Sequence, residues 1–214
     1  MNMSDEFFSV VTAIFLLRGF GITLLIAVFT IFFSFLIGSI LGVAKFQGKG
    51  IAAKVSSIYI DISRNLPLIL MIIAFRFTLP LPTIASSVVA LTFLNCSLVA
   101  EILRGGMQAI SKGQWEAAYS QGFSYTGTLI HVVIPQAVKR IRKPLMGQFI
   151  TIIKDTSLCA VVAVHELMYS GQIIIGRYSK SSYIIGLYAL IALAYFGVNT
   201  LLLAISKRLI RDIK

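Results

Sequence analysis

Charged residues are scarce in this sequence, and acidic ones are scarcer still. Only 13% of the 214 residues are charged, whereas 57% are hydrophobic. Soluble domains carry about a quarter charged residues, so the composition excludes an ordinary soluble protein and indicates an integral membrane protein. The net charge of +11 would suggest nucleic-acid binding in a soluble protein. That function is not predicted here, because no basic, aromatic face lies outside the apolar runs.

Cysteine and histidine are also rare, with two residues of each type. Cys96 and Cys159 both lie in apolar runs and are interpreted as small buried hydrophobic residues, since two cysteines make no disulfide framework. The sequence HELMY at residues 165–169 begins like a zinc-protease motif. Tyr169 stands where the second histidine is required, so no metal site is predicted.

A phosphate-binding loop is missing as well. GFSYTG at residues 122–127 has the glycine spacing of such a loop, but Thr128 replaces the lysine that would contact the phosphates. No catalytic residues are apparent elsewhere. The chain is therefore predicted not to be an enzyme and to hold no cofactor of its own.

Long apolar runs, by contrast, are abundant, and five are predicted to cross a membrane core about 30 Å thick. These spans are placed at residues 19–44, 56–79, 81–103, 145–165 and 183–206. The predicted fold class is all-α, with five transmembrane helices in one domain of residues 19–206. Residues 1–18 are predicted to be an extracytoplasmic or interfacial segment, or in part an extension of the first helix, because the run before Arg18 is too short to span.

Small residues and a proline predict how these helices pack and bend. Ser34, Gly38 and Gly42 recur at intervals of four in the first span, and such a stripe allows another helix to approach closely. Pro67 is predicted to kink the second span or to start its buried part.

The distribution of positive charge predicts the orientation in the membrane. Twelve Lys and Arg residues lie in the 45–54 loop, the 105–143 segment and the basic tail at 207–214. The loops on the other side carry only Arg177 and Lys180. The positive-inside rule therefore places the N-terminus outside and the C-terminus in the cytoplasm, and makes residues 107–143 a cytoplasmic loop.

This loop contains a helix–turn–helix pattern. Gln114–Gln121 is predicted to be helical, with Trp115, Ala118 and Tyr119 on one face. Gly122 can end that helix with a positive φ, and a second helical stretch of about 124–134 is predicted to end before Pro135. An ordinary amphipathic surface helix would give the same pattern.

Several linked motifs in and around the loop resemble a known family. Glu116-Ala117-Ala118, three residues, Gly122, nine residues and VVIP at 132–135 resemble the EAA motif of bacterial ABC importer permeases. AEILRGG at 100–106, KGQWEAA at 112–118, IPQA at 134–137 and KDTSL at 154–158 are similar to the polar amino-acid uptake subfamily. The resemblance covers nearly the whole chain from about residue 16. One departure is RNLPL at 64–68, where the subfamily usually has Arg-Gly-Thr-Pro-Leu.

The resemblance implies a type I ABC importer transmembrane domain in the bacterial cell (inner) membrane. It implies a dimer of ATPase subunits that bind ATP and Mg and hold the loop in a groove. A second permease chain, identical or related, would complete the pore. A soluble or tethered extracellular or periplasmic binding protein would deliver a polar amino acid, and membrane lipid would surround the helices. The ATPase-coupling residues implied are Trp115, Glu116, Ala117, Ala118, Gly122 and Pro135.

Polar side chains inside the predicted spans have two interpretations. A charge at mid-bilayer costs about 2.5–3.5 kcal/mol, so these groups are expected to face protein or water rather than lipid. They line the substrate path, or they tie helices together, with Lys154 and Asp155 pairing with Arg64, Glu101 or Arg104. Within single helices, Asp61 with Arg64 and Glu101 with Arg104 are i,i+3 pairs that can face each other. The candidates are Arg64, Asn65, Asn95, Glu101, Arg104, Lys154, Asp155, Thr156 and Ser157.

Two other classes of function stay open at this point. A secondary transporter or channel would use the membrane charges as an ion or proton relay without an ATPase, although many such folds contain inverted repeats and none is evident here. A structural or assembly membrane protein would transport nothing. The sequence names neither the amino acid nor the second permease chain.

Overall fold

The computed structural model of the chain describes residues 10–176 and 181–211, which form helices with short connections. A π-helical turn comprises Leu129–Val133, and a 3₁₀ segment comprises Thr156–Val162. No strand occurs in the described residues, and the all-α prediction is confirmed. The helices are α1 (Val10–Gln47), α2 (Gly50–Arg64), α3 (Leu68–Thr78), α4 (Thr83–Gln108), α5 (Lys112–Ser120), α6 (Tyr125–Thr128), α7 (Ile134–Asp155), α8 (Leu167–Ile175) and α9 (Ser181–Arg211).

Four helical segments of the described chain are long and apolar enough to cross a membrane. Helices α2 and α3 pass the same test only as a pair, which is bent by 106°. Counting the bent pair as one span gives five, the number predicted from the sequence. The four segments are Val10–Gln47, Thr83–Gln108, Tyr125–Val162 and Ser181–Arg208.

Pro67 produces the bend in the second span, as predicted. It has the extended conformation, with φ −64° and ψ 129°, between the end of α2 at Arg64 and the start of α3 at Leu68. The proline ring disfavours a helical conformation in the residue before it. The bend therefore falls where the sequence placed a helix breaker.

The two ends of the chain are only partly described. Helix α1 runs from Val10 past Arg18 without a break, so residues 10–17 extend the first long helix rather than forming a separate segment. No proline occurs between residues 10 and 47, so the helix can continue through Arg18. Residues 1–9, the loop charges Arg177 and Lys180, and residues 212–214 of the basic tail lie outside the described residues.

The predicted helix end before Pro135 is wrong. Helix α6 continues through the π-helical turn into α7, and Pro135 is the second residue of α7. In the widened turn, the Ile134 N–H donates to the Leu129 carbonyl five residues back. Proline has no N–H to donate, so it fits directly after a turn in which the ordinary hydrogen-bond pattern is already displaced.

Two compact units make up the chain, and each has its own apolar core. The first comprises residues 1–31, 67–91 and 150–214, and the second comprises residues 32–66 and 92–149. Cys159 is buried in the first unit and Cys96 in the second, as expected of small apolar residues. The buried core of the first unit is Leu16, Ile26, Ile72, Ala90, Leu91, Cys159, Val164, Leu167, Ile174, Leu187 and Ile191. That of the second is Val99, Leu103, Met107, Ile110, Leu129, Val133, Ala137 and Ile141.

Within the second unit, α1 and α4 approach each other closely at two glycines. A Cβ atom on Gly38 would lie 2.6 Å from the Cys96 carbonyl oxygen, and one on Gly42 would lie 2.6 Å from the Ala100 carbonyl oxygen. Only glycine leaves room for backbone at that distance. The small-residue stripe predicted from the sequence is therefore confirmed as a helix-packing surface.

Candidate functional site

Helix α5 and the turn after it form a well-defined local structure. The Gly122 N–H donates to the Tyr119 carbonyl at 2.9 Å, and the Phe123 N–H donates to the Ala118 carbonyl at 3.1 Å. These two hydrogen bonds and the φ of +83° at Gly122 make a Schellman motif, which satisfies carbonyls at the end of a helix. The Ser124 hydroxyl then accepts from the Gly127 N–H at 3.2 Å and caps α6. The predicted helix and the positive φ of Gly122 are both confirmed.

The two faces of α5 differ in exposure. Trp115 is half-buried and Ala118 is buried, whereas Glu116 and Ala117 are exposed. Tyr119 was expected on the face of Trp115 and Ala118, but 44% of its surface is exposed. The structure therefore divides the residues predicted to couple to an ATPase into an inner and an outer set.

The inner set packs on neighbouring aromatic and apolar groups. The Trp115 ring stacks on Phe46 of α1, with centroids 6.2 Å apart, and on Tyr125 of α6, with centroids 5.5 Å apart. Trp115 and Phe46 also pack against the buried cluster of Met107, Ile110, Leu129, Val133 and Ala137. The outer set is Glu116, Ala117, Gly122 and Pro135, all of which are exposed.

Polar contacts further restrain the segment around α5. The Gln136 side-chain amide donates to the Gln114 side-chain oxygen at 3.0 Å. The Arg140 guanidinium donates to the Ala109 carbonyl at 2.9 Å, in the connection between α4 and α5. Both contacts run from α7 to the chain before or within α5. The helix is thus fixed to the second unit by its surroundings as well as by its own chain.

Five charged side chains from three helices form a cluster around Glu101. The Lys45 ammonium lies 2.9 Å from carboxylate oxygens of both Asp61 and Glu101. The guanidinium of Arg104 lies 2.7 Å from a Glu101 oxygen, and that of Arg64 lies 3.6 Å from the same oxygen. This arrangement, called the charge cluster below, links α1, α2 and α4 by ion pairs.

The charge cluster corrects one pairing predicted from the sequence. Glu101 and Arg104 pair within α4 at i,i+3 as expected, but Asp61 pairs with Lys45 rather than with Arg64. Lys45 and Asp61 were not among the candidate polar residues. Their opposite charges were visible in the sequence, but the contact joins two helices and has no local spacing that would reveal it.

The uncharged and remaining charged candidates make mostly local contacts. In the second unit, the buried Asn95 accepts from Gln148 at 2.6 Å, while the exposed Asn65 donates to the Asp61 carbonyl of its own helix. Lys154 is exposed and Asp155 is half-buried in the first unit. The Thr156 and Ser157 hydroxyls donate to the carbonyls of Ile153 and Lys154, each at 2.7 Å.

One polar site in the first unit was missed in the sequence analysis. The Glu166 carboxylate is fully buried and accepts from the N–H groups of Met168 and Tyr169, each at 2.8 Å. It also accepts from the Tyr195 hydroxyl at 3.0 Å and the Thr23 hydroxyl at 3.4 Å. Burial raises the pKa of Glu166, and these hydrogen bonds act in the opposite direction. The carboxylate caps α8 and ties it to α1 and α9.

Known proteins resemble this chain in both sequence and fold. The family described as the binding-protein-dependent transport system inner membrane component matches residues 34–214. The chain is 40% identical over 200 residues to the probable glutamine ABC transporter permease protein GlnP of Bacillus subtilis (strain 168), covering 91% of this chain and 92% of that one. It is 32% identical over 206 residues to the glutamine transport system permease protein GlnP of Escherichia coli (strain K12), covering 93% of each.

The fold has a counterpart among solved structures. The crystal structure of an amino acid ABC transporter with histidines matches with a TM-score of 0.83 and 26% identity, over 94% of each chain. These similarities support an ABC permease and not a secondary transporter or channel. The chain therefore belongs to the binding-protein-dependent transport system inner membrane component family, as a multi-pass permease subunit of a bacterial ABC importer whose ATP hydrolysis takes place on a partner subunit.

Proposed function

We propose that this permease forms the membrane path for glutamine or a closely related polar amino acid, and that the outer face of α5 docks on the ATPase. The substrate class is supported by relatives named as glutamine permeases, which share 40% and 32% identity with nearly the whole chain. The docking role is supported by one observation above the others. Helix α5 is packed on one side and exposes Glu116 and Ala117 on the other.

The exposed face of α5 suits a protein partner with a basic groove. Glu116 forms no ion pair within the described residues 10–176 and 181–211, so its carboxylate is available to a cation on the ATPase. Ala117 has a side chain small enough to let the partner approach the helix backbone. The turn at Gly122, which has a positive φ, ends α5 and leads directly into α6. Helix α5 is therefore a short helix with a well-defined end.

We further propose that α5 lies on the cytoplasmic side, with the N-terminus outside and the C-terminus inside. Residues 105–143 contain five Lys and Arg residues and a single acidic residue, Glu116. Such an excess is typical of cytoplasmic loops. In this orientation α5 faces the compartment that contains ATP. A second permease chain, two ATPases and an external binding protein complete the proposed transporter.

The polar candidates are proposed to have separate roles. The charge cluster around Glu101 serves as an interhelical tie, because its cations are already paired with carboxylates. The buried Asn95, which accepts a hydrogen bond from Gln148, is likewise proposed as a tie between helices. The stretch Lys154–Ser157, whose Lys154 side chain is exposed, is proposed as polar lining of the path.

Substrate uptake tests this proposal. The permease, reconstituted in vesicles with its ATPase and binding protein, is expected to accumulate radiolabelled glutamine when ATP is present on the ATPase side. Unlabelled glutamine should compete more strongly than arginine or leucine. Uptake of a different amino acid that glutamine does not reduce would contradict the substrate while leaving the ATP dependence intact.

Gly122→Ala is expected to weaken binding of the ATPase about 5–30-fold, because a left-handed conformation costs an L-residue about 1–2 kcal/mol. The strain would be relieved by reshaping the turn that ends α5. Gly105→Ala is the matched control, since Gly105 lies in α4, outside the docking helix, with ordinary φ and no atom within 4 Å of an added Cβ. Titration of the detergent-solubilised permease with the ATPase measures both affinities. Equal weakening by the two variants would show that the turn conformation is not the cause.

A further inference from the structure

The last turn of α1 contacts α5 directly through an aromatic stack, defined here as the rings of Phe46, Trp115 and Tyr125. The Phe46 and Trp115 rings are inclined by 26°, and the Trp115 and Tyr125 rings by 23°. Trp115 therefore lies between a ring from the first span and a ring from α6. Centroid distances of 6.2 Å and 5.5 Å are within the range of favourable aromatic pairs.

The residue before Phe46 joins α1 to the charge cluster. Lys45 makes ion pairs with Asp61 of α2 and Glu101 of α4. Successive residues on a helix point about 100° apart, so Lys45 and Phe46 reach different neighbours from one turn. The end of α1 thus contacts α5 through Phe46, and it contacts α2 and α4 through Lys45.

The same part of α1 packs closely against α4. At Gly42, one turn earlier, the α1 backbone lies so close to α4 that a Cβ atom would be 2.6 Å from the Ala100 carbonyl oxygen. Val43 adds an apolar contact with the cluster below α5. The part of α1 that contacts α5 through the aromatic stack is therefore also packed closely against α4.

Helix α5 takes its other described contacts from elements near it in the sequence, such as Tyr125 of α6 and Gln136 of α7. It is joined to α4 by residues 109–111 and to α6 by residues 121–124. Phe46 is an additional point of attachment, and it comes from a helix distant in sequence. This contact links α5 directly to the first span.

We propose that Phe46 is a positioning residue for transport: by stacking on Trp115 it couples displacement of α5 to the first span and the charge cluster. This inference rests on the proposed docking of α5 on the ATPase. It assigns to the end of the first span a role that the outer face of α5 cannot fill, because Glu116 and Ala117 point away from the packed side.

The test compares Phe46→Ala with the parent in vesicles that contain the complete transporter, by measuring glutamine taken up per ATP hydrolysed. Phe46→Ala is expected to lower this ratio roughly two- to tenfold, the range for one lost aromatic pair, while the ATPase remains bound and active. Phe46→Tyr keeps the ring and should retain the parent ratio. Phe77→Ala, at an exposed phenylalanine of α3, is the matched control and should also retain it.

A double substitution distinguishes an effect that Phe46 exerts through Trp115 from general destabilisation of the permease. If Phe46 acts through Trp115, the variant with both residues changed to alanine should have nearly the same ratio as Trp115→Ala alone, because Phe46 then has no partner ring through which to act. If Phe46→Ala fails to assemble, Phe46→Leu answers the same question, since leucine fills apolar space without an aromatic face. A reduced ratio for an assembled leucine variant supports the inference.

The outcomes that overturn the inference are distinct from failure of the proposed function. If Phe46→Ala takes up as much glutamine per ATP hydrolysed as the parent, the role of Phe46 is refuted while ATP-driven uptake by the parent stands. The same result in Phe46→Leu refutes it if the alanine variant does not assemble. Full additivity of the Phe46 and Trp115 substitutions also overturns it. Absence of any ATP-driven uptake by the parent would instead refute the proposed function.

Discussion

Glu116→Lys is expected to abolish co-purification of the permease with its ATPase while leaving membrane insertion intact. Glu116 is exposed on the outer face of α5 and forms no ion pair in the part of the chain that the structure describes. Its substitution should therefore not disturb the fold. A lysine facing a basic groove would lower the affinity at least about 100-fold, since like charges placed together in an interface cost several kcal/mol.

Two further variants make this experiment specific. Gln108→Lys introduces the same lysine side chain, with a charge change of +1 rather than +2, at an exposed position at the end of α4, outside α5, and should leave co-purification unchanged. Deletion of Gln114–Gly122 removes the docking helix except for Lys112 and Gly113 and should match Glu116→Lys. Normal co-purification of either α5 variant with the ATPase would refute the docking role of this helix.

Glu101→Ala is expected to destabilise the folded permease by about 1–3 kcal/mol. The carboxylate faces Lys45, Arg64 and Arg104, and its removal leaves neighbouring cations without their shared anion. A fully buried pair would lose more, but Glu101 keeps 15% of its side-chain surface accessible and the charges are partly screened. The thermal midpoint of the detergent-solubilised protein and the fraction that stays monodisperse both measure this loss.

Asp61→Ala provides the matched control for Glu101. Asp61 also pairs with Lys45, but its side chain is 63% exposed, and among the described residues it forms an ion pair with that cation alone. Water and salt screen such a pair, so its removal should lower the thermal midpoint much less. Equal effects of the two substitutions would contradict the central position assigned to Glu101.

Features that depend on neighbouring residues could be predicted from the sequence. Gly122 ends α5 because a glycine at that position relieves the steric cost of positive φ, and Pro67 breaks the second span because its ring restricts the preceding residue. The small-residue stripe at Gly38 and Gly42 likewise follows from side-chain size at helical spacing. Each of these predictions needs no knowledge of the rest of the chain.

Features that depend on distant residues could not be predicted. Glu166 binds Thr23 and Tyr195, which lie far away in sequence, and Lys45 reaches Asp61 only after α1 and α2 have packed. Pro135 was expected to stop a helix, but the π-helical turn before it removes the conflict. In all three cases the deciding partner or geometry is set by the fold rather than by local spacing.

The functional site was also predicted only in part, because one of its contacts depends on a residue distant in the sequence. Helical periodicity placed Trp115, Ala118 and Tyr119 on one face, and the EAA pattern assigned Trp115 and Glu116 to the same coupling role. The structure directs Trp115 toward Phe46 and leaves Glu116 exposed. Since the stacking partner belongs to the first span, no periodicity within α5 could have distinguished the residue proposed to contact the ATPase from the residue that contacts the rest of the permease.

The most direct test of the central claim is glutamine uptake into vesicles that contain the permease with its ATPase and binding protein, measured with all ion gradients collapsed. We expect accumulation of glutamine that requires hydrolysable ATP and is lost with a non-hydrolysable analogue or with the Glu116→Lys permease. Uptake that proceeds without ATP when an ion gradient is imposed, and that is unaffected by Glu116→Lys, would contradict it.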